Sequence, residues 1–134
     1  MKVLPLLALL LATAAVAADP EGFAMYKASD IVSRAKAAKL DEYKAGADRV
    51  ATWGNHGLLL VHRAGDGAAE THMTQVDMMT VISGEGTLIV GGTEVLLRPG
   101  DSVVQQPGVP HDWQNRSAET AFMVGVLLSA RSLS

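Results

Sequence analysis

Two carboxylates and two histidines stand at spacings that suit a shared metal ion. Glu70, His72 and Asp77 fall in the run ETHMTQVDMMTVISGEGTLIVGG from Glu70 to Gly92, and His111 in the run GDSVVQQPGVPHDWQN from Gly100 to Asn115. In an extended strand, residues two apart project to the same face, about the separation at which two side chains can share one ion, as Glu70 and His72 would. Asp77 opens the next strand and His111 comes from a later one, so the four converge only where a sheet closes into a barrel. Imidazoles and carboxylates together suit Mn, Fe, Ni or Zn, with geometry deciding among them. The bland alternative is an exposed strand edge carrying Glu70 and His72, with His111 capping a turn.

The elements that must position these residues are β-strands. From Arg49 onward, short apolar runs are separated by Gly, Pro, Asn and Asp, the pattern of strands and turns rather than helices. The spacing predicts strands over Arg49–Trp53, Leu58–Arg63, Glu70–Met73, Met78–Ser83, Thr87–Val90, Glu94–Arg98, Ser102–Gln105, Asp112–Asn115 and Thr120–Leu128. Gly91 and Gly92 fit a two-residue hairpin, and Pro99, Gly100 and Asp101 a tight turn. Many strands with no helix between them predict an all-β sandwich or barrel. One helix is predicted, Ser29–Tyr43, with Ser29 as N-cap, Asp30 in the first turn and Lys36 and Lys39 toward the end. Its thin apolar stripe of Ile31, Val32, Ala35 and Ala38 suits packing on a sheet. Ala45–Asp48 reads as the connection into the β region.

Strand parity sorts the remaining candidates. Met79 and Val81 share parity with Asp77, and Trp113 and Asn115 with His111, so these side chains line the interior beyond the ion. Met79 and Trp113 are the candidates for substrate contact, with simple packing as the alternative. His62 follows Leu58 and Leu60 at strand spacing and is expected either to project inward or to be a satisfied core group. His56, between Asn55 and Gly57, reads as a loop residue. Nucleophile chemistry has no support, because the chain has no cysteine and no GxSxG. The glycines at 84, 86, 91 and 92 precede neither a helix nor a GK[ST], so they belong to turns rather than to a phosphate loop.

Residues 1–18 carry Lys2 as their only charge, an apolar run from Val3 into Ala12, and small residues before Ala18 and Asp19. This is the pattern of a secretory signal, with a soluble periplasmic or secreted protein as the expected product. Without those 18 of its 134 residues the chain keeps about 116, one domain, able to bury roughly two thirds of its unfolded surface. Losing Lys2 lowers the basic count from 11 by one, against 14 acidic side chains, a net charge of about −4. With no basic cluster, that balance argues against nucleic acid and anionic membrane surfaces as partners. The expected organisation is a signal over 1–18, an arm and helix over 19–48 and a β domain over 49–134.

At these residues the chain resembles the cupins. Their second motif, GxxxxxPxGxxHxxxN, is matched by Gly100, Gly108, His111 and Asn115, with Gln106 at the proline position and Pro107 beside it. Their first, GxxxxxHxHxxxxExxxxxxG, is matched with substitutions: Glu70 at the first histidine, His72 at the second, Asp77 at the glutamate and Gly84 at the closing glycine. The resemblance implies a single-domain double-stranded β-helix, or jelly-roll barrel, with a short N-terminal helix. It also implies a divalent metal held by Glu70, His72, Asp77 and His111, and pairing as a homodimer. Asp77 is one methylene shorter than the family's glutamate, which leaves open direct ligation, contact through water, or orientation of an imidazole.

Three function classes follow. The first is a metal-dependent enzyme acting on a small molecule by oxygenation, isomerisation or elimination. The second is a module that binds a small ligand or the metal without turnover, and the third a structural role through exposed strand edges. Open coordination positions would favour the first.

Overall fold

The computed structural model describes residues 20–129, so the signal segment lies outside the described residues. One helix and eight strands follow in order: α1 (Ala28–Ala37), β1 (Ala45–Trp53), β2 (His56–Arg63), β3 (Gln75–Ser83), β4 (Gly86–Val90), β5 (Thr93–Leu97), β6 (Ser102–Gln105), β7 (His111–Gln114) and β8 (Ala121–Ser129). The strands form a five-stranded sheet, β1-β2-β8-β3-β6, and a three-stranded sheet, β5-β4-β7, with every pairing antiparallel. The all-β jelly-roll expectation is met, although the two sheets face each other without joining into one continuous hydrogen-bonded ring.

Alternation within the strands builds two apolar layers. One face of each sheet turns inward, and Val61, Val81, Leu88, Leu97, Trp113 and Met123 pack there as the core. On the outer face of the large sheet, Leu60 and Phe122 pack with Ala35 of α1, flanked by Ile31, Val32, Val50 and Val124. Burying a Leu or Phe side chain contributes roughly 1.5–3 kcal/mol, and a ten-residue helix is marginal alone, so this contact is what holds α1.

Several boundaries differ from the sequence reading. The helix starts after Lys27, whose carbonyl accepts the Asp30 and Ile31 amides at 3.0 Å each. Ser29 is therefore inside the helix and not its cap, and its hydroxyl reaches only Asp30. The helix stops at Ala37 instead of Tyr43 because the chain is captured by a turn built on Asp41. Its Oδ1 accepts the Tyr43 and Ala45 amides at 2.9 Å each, and Lys44 takes a left-handed φ of 56°. Ala45–Asp48 is the start of β1, paired with Leu60–Arg63, and not a connection. His56 likewise pairs with Trp53 and Leu128 as the first residue of β2. Glu70–Met73 forms no strand, only a single bridge between Glu70 and His111. The last strand, β8, lies between β2 and β3 and so has no free edge.

Two predicted turns are present. Gly91 and Gly92 have φ of 58° and 76°, the mirror-image turn that matches strand twist. In Arg98-Pro99-Gly100-Asp101, the Asp101 amide donates to Arg98 O at 2.9 Å and Gly100 has a φ of 93°.

Candidate metal centre

The site is assembled from three segments strapped together through their backbones. Glu70 N–H donates to His111 O at 2.8 Å and His111 N–H returns a bond to Glu70 O at 3.0 Å, so the two residues sit directly opposite with their side chains on one face. His72 is fixed by the amide of Gly108, which donates to His72 O at 2.9 Å. Gly108 occupies the third place of the turn Gln106-Pro107-Gly108-Val109 with a φ of 81°, where Pro followed by Gly is the favoured pair.

One ligand atom from each of Glu70, His72 and His111 lies within 4.8 Å of the other two. Donors bound to one small divalent ion at about 2.0–2.2 Å are at most about 4.4 Å apart, so a modest rotamer adjustment would let the three share an ion. The His111 and Glu70 tips are 3.5 Å apart, and the His72 and His111 rings are tilted with centroids at 5.4 Å. Asp77 lies deeper and is 2% exposed. Its Oδ2 is 3.8 Å from His72 Nε2 and 3.9 Å from His111 Nε2, and it accepts a bond from Gln105 Nε2 at 3.2 Å.

The state of His111 carries the most information about the site. Its Nδ1 is 3.0 Å from Val109 O, and a carbonyl only accepts, so Nδ1 carries a proton and the neutral ring presents its Nε2 lone pair to the cluster. That Nε2 is buried and has no well-aligned hydrogen-bond partner, with Glu70 Oε1 3.5 Å away. Asp77 Oδ1 is also buried without a partner. Buried polar atoms rarely stay unpaired, and an unpartnered imidazole Nε2 set among Glu70, His72 and Asp77 suits a bound cation.

The carboxyl environments diverge. The His111 ring beside Glu70 holds its carboxyl below the usual range, against the opposing effect of burial. Burial pushes the Asp77 carboxyl up, with the two imidazoles pulling the other way. Glu70 in turn pushes the His111 imidazole above the ordinary value.

A cavity of about 200 Å³ lies over the cluster, lined by Glu70, His72, Asp77, Met79, Leu59 and Arg63 among others. Met79 thus borders the space a ligand would occupy. Trp113 does not line it: it is 1% exposed within the core, stacked close to Gly86. His62 does not project inward. It lies on the outer face of the large sheet, 7% exposed and edge-on to Phe122 at 6.0 Å between ring centroids. Asn115 points at loop carbonyls, donating to Arg63 O and Glu119 O at 2.7 Å each. Two residues of the site escaped the sequence reading. Gln105, bonded to Asp77 and opposite it in register, and Arg63, which lines the cavity in phase with Leu59 and Val61, were both legible from parity alone.

Fold and site together define a small jelly-roll protein whose two facing sheets enclose a carboxylate–imidazole cluster. The chain belongs to the cupin family: the Cupin_2 model, described as "Cupin domain", matches residues 58–127. A search of curated protein sequences returns no significant match. Among solved structures, the chain is similar to the Cupin_2 domain of an XRE family transcriptional regulator from Enterobacter cloacae (20% identity, 65% of this chain and 98% of that one, TM-score 0.58). It is also similar to an uncharacterised double-stranded β-helix protein from Klebsiella pneumoniae (21%, 80% and 90%, 0.65). A third is a sugar phosphate isomerase of the cupin superfamily from Silicibacter pomeroyi (23%, 64% and 60%, 0.56). At these identities the likeness concerns the fold.

Proposed function

We propose that this cupin holds one divalent transition-metal ion through Glu70, His72 and His111, with Asp77 beneath them, and uses it to act on a small molecule entering the cavity. The observation that carries this reading is the buried, unpartnered His111 Nε2 facing Glu70, His72 and Asp77. An ion bound there would supply Lewis acidity or redox chemistry, in keeping with an oxygenase, isomerase or lyase type of reaction. Glu70, kept anionic by His111, is the charged donor. Val109 O fixes the His111 tautomer and Gln105 steadies Asp77. Asp77, whose carboxyl is pushed up by burial and which lines the cavity, is the group suited to exchange a proton with a bound molecule.

The cavity's size favours a second reading. At about 200 Å³ it is smaller than the roughly 300–1,000 Å³ of most ligand pockets, which suits a module that holds a small ligand or the metal without turnover. Water proton relaxation of the Mn(II)-loaded protein separates the two. Strong enhancement, from rapidly exchanging water on the ion, is expected for the enzyme, and its absence would favour the module.

Export and pairing belong to the same proposal. Export rests on the leader-like residues 1–18. Pairing as a homodimer is supported by Met78 and Val104, which oppose each other beside the β6 edge of the large sheet and are 42% and 56% exposed. The acidic balance supports the exclusion of nucleic acid, and among the described residues no helix is long and apolar enough to cross a membrane.

A further inference from the structure

Arg63 is the cavity residue that the metal-centre reading leaves without a task. It ends β2 on the same face as Leu59 and Val61, and all three line the cavity. Its Nε is shut off from solvent without a hydrogen-bond partner. Among the described residues no carboxylate lies within 4.0 Å of its guanidinium, although Glu70, Asp41 and Asp112 all lie near enough to act on it through their charge. Asp41 is committed to its own turn, and Asp112 accepts a bond from Gln114.

The loop over Arg63 is shaped to receive it. Any side chain at Gly67 would overlap Arg63 Nη1, and Gly67 N–H is tied to Trp113 O at 2.8 Å. Glycine therefore lets the backbone lie directly on the guanidinium. A half-buried cation held this way without a paired acceptor is costly unless an anion completes it.

We propose that Arg63 anchors the carboxylate of a small organic acid in this cavity, with the acid's other donor group directed at Glu70, His72 and His111. The inference rests on the metal-centre reading for the position of that second group. The guanidinium fork matches a carboxylate with two parallel bonds. Asp41 also borders the cavity, so a divalent ion and Arg63 just balance Glu70, Asp77 and Asp41, and the preference for a carboxylate rests on the fork and on the size of the space rather than on surplus charge. At roughly 30 Å³ per water-sized group, a cavity of about 200 Å³ takes on the order of seven non-hydrogen atoms, the size of malonate.

The test is calorimetric titration of the Mn(II)-loaded protein with malonate and with its neutral counterpart malonamide. Malonate is expected to bind at least about tenfold more tightly than malonamide. Arg63→Gln should weaken malonate about tenfold or more at unchanged metal content, with Arg63→Lys in between because it keeps the charge and loses the fork. Equal malonate affinity in Arg63→Gln and the wild type, or malonamide binding as well as malonate, would overturn the proposal, as would inorganic phosphate binding more tightly than malonate. Should Arg63→Gln fail to fold, the malonate–malonamide comparison on the wild type decides alone. Repeating the titration on chelator-treated protein separates the two readings. A wild type that takes up no metal yet binds malonate through Arg63 sinks the metal centre and keeps the anchor. Full metal occupancy with malonate binding indifferent to Arg63 does the reverse.

Discussion

Glu70 and His111 are bonded to each other twice through their backbones, and their side chains meet 3.5 Å apart on the interior face. The backbone of a loop residue is thereby tied to β7 as a strand residue would be. The same pairing sets the acid sensitivity of the site, because Glu70 is the main reason the His111 imidazole holds its proton above the ordinary value of 6.5.

Metal must displace that proton from Nε2. Affinity should therefore fall as pH drops through the raised His111 value, above 6.5. In Glu70→Gln, affinity should be lower at pH 8 through loss of an anionic donor, but its fall should begin at lower pH. Calorimetric metal titrations from pH 8 to pH 6 check both, and an identical pH profile in the two proteins would contradict the coupling.

Asp77→Asn tests a different relationship. With Oδ2 at 3.8 and 3.9 Å from the two imidazoles and outside the three-residue ligand group, Asp77 is expected to support rather than bind the ion. Metal affinity should drop on the order of 10 to 100 fold. A complete loss of metal with the fold intact would make Asp77 a direct ligand.

His62 gives a stability signature. Burial on the outer face pushes its imidazole below 6.5, so the folded state binds its proton less readily than the unfolded chain. Its contribution is fully present above about pH 6.5 and is lost as pH falls through the lowered value. Between pH 7.5 and 5.5, the metal-free wild type should lose more stability than His62→Leu in urea denaturation. Taking the difference between the two proteins removes the opposing titration of His111. Parallel pH profiles would contradict this account.

Two glycines should respond unequally to alanine. Gly84 has a φ of 72°, and a Cβ there would meet Thr120 O at 2.5 Å, whereas Gly91, with a φ of 58°, faces open space. Gly91→Ala should cost about 1 kcal/mol from backbone strain alone, and Gly84→Ala about 2–4 kcal/mol from strain plus displaced backbone. Equal urea midpoints would refute the difference.

Alternation makes the interior legible in the sequence. Asp77, Met79 and Val81 share one face, as do His111 and Trp113, because period two is a local property of a strand. His62 failed the same test for a related reason: Leu60 is buried under α1, not in the core, so an apolar neighbour did not mean an inward one. Glu70 and His72 looked like strand residues, but what extends them is the pairing with His111 and Gly108, roughly 40 residues away in the chain. The position of β8 within its sheet and the Asp41 turn that shortens α1 are likewise non-local or side-chain-specific, and no spacing rule encodes them.

Metal content, measured by elemental analysis on the purified wild type, His72→Ala and His111→Ala, tests the central claim most directly. The account predicts about one divalent ion per chain in the wild type and loss of most of it in either variant, with β-rich circular dichroism retained. The same negligible metal content in all three proteins would contradict it.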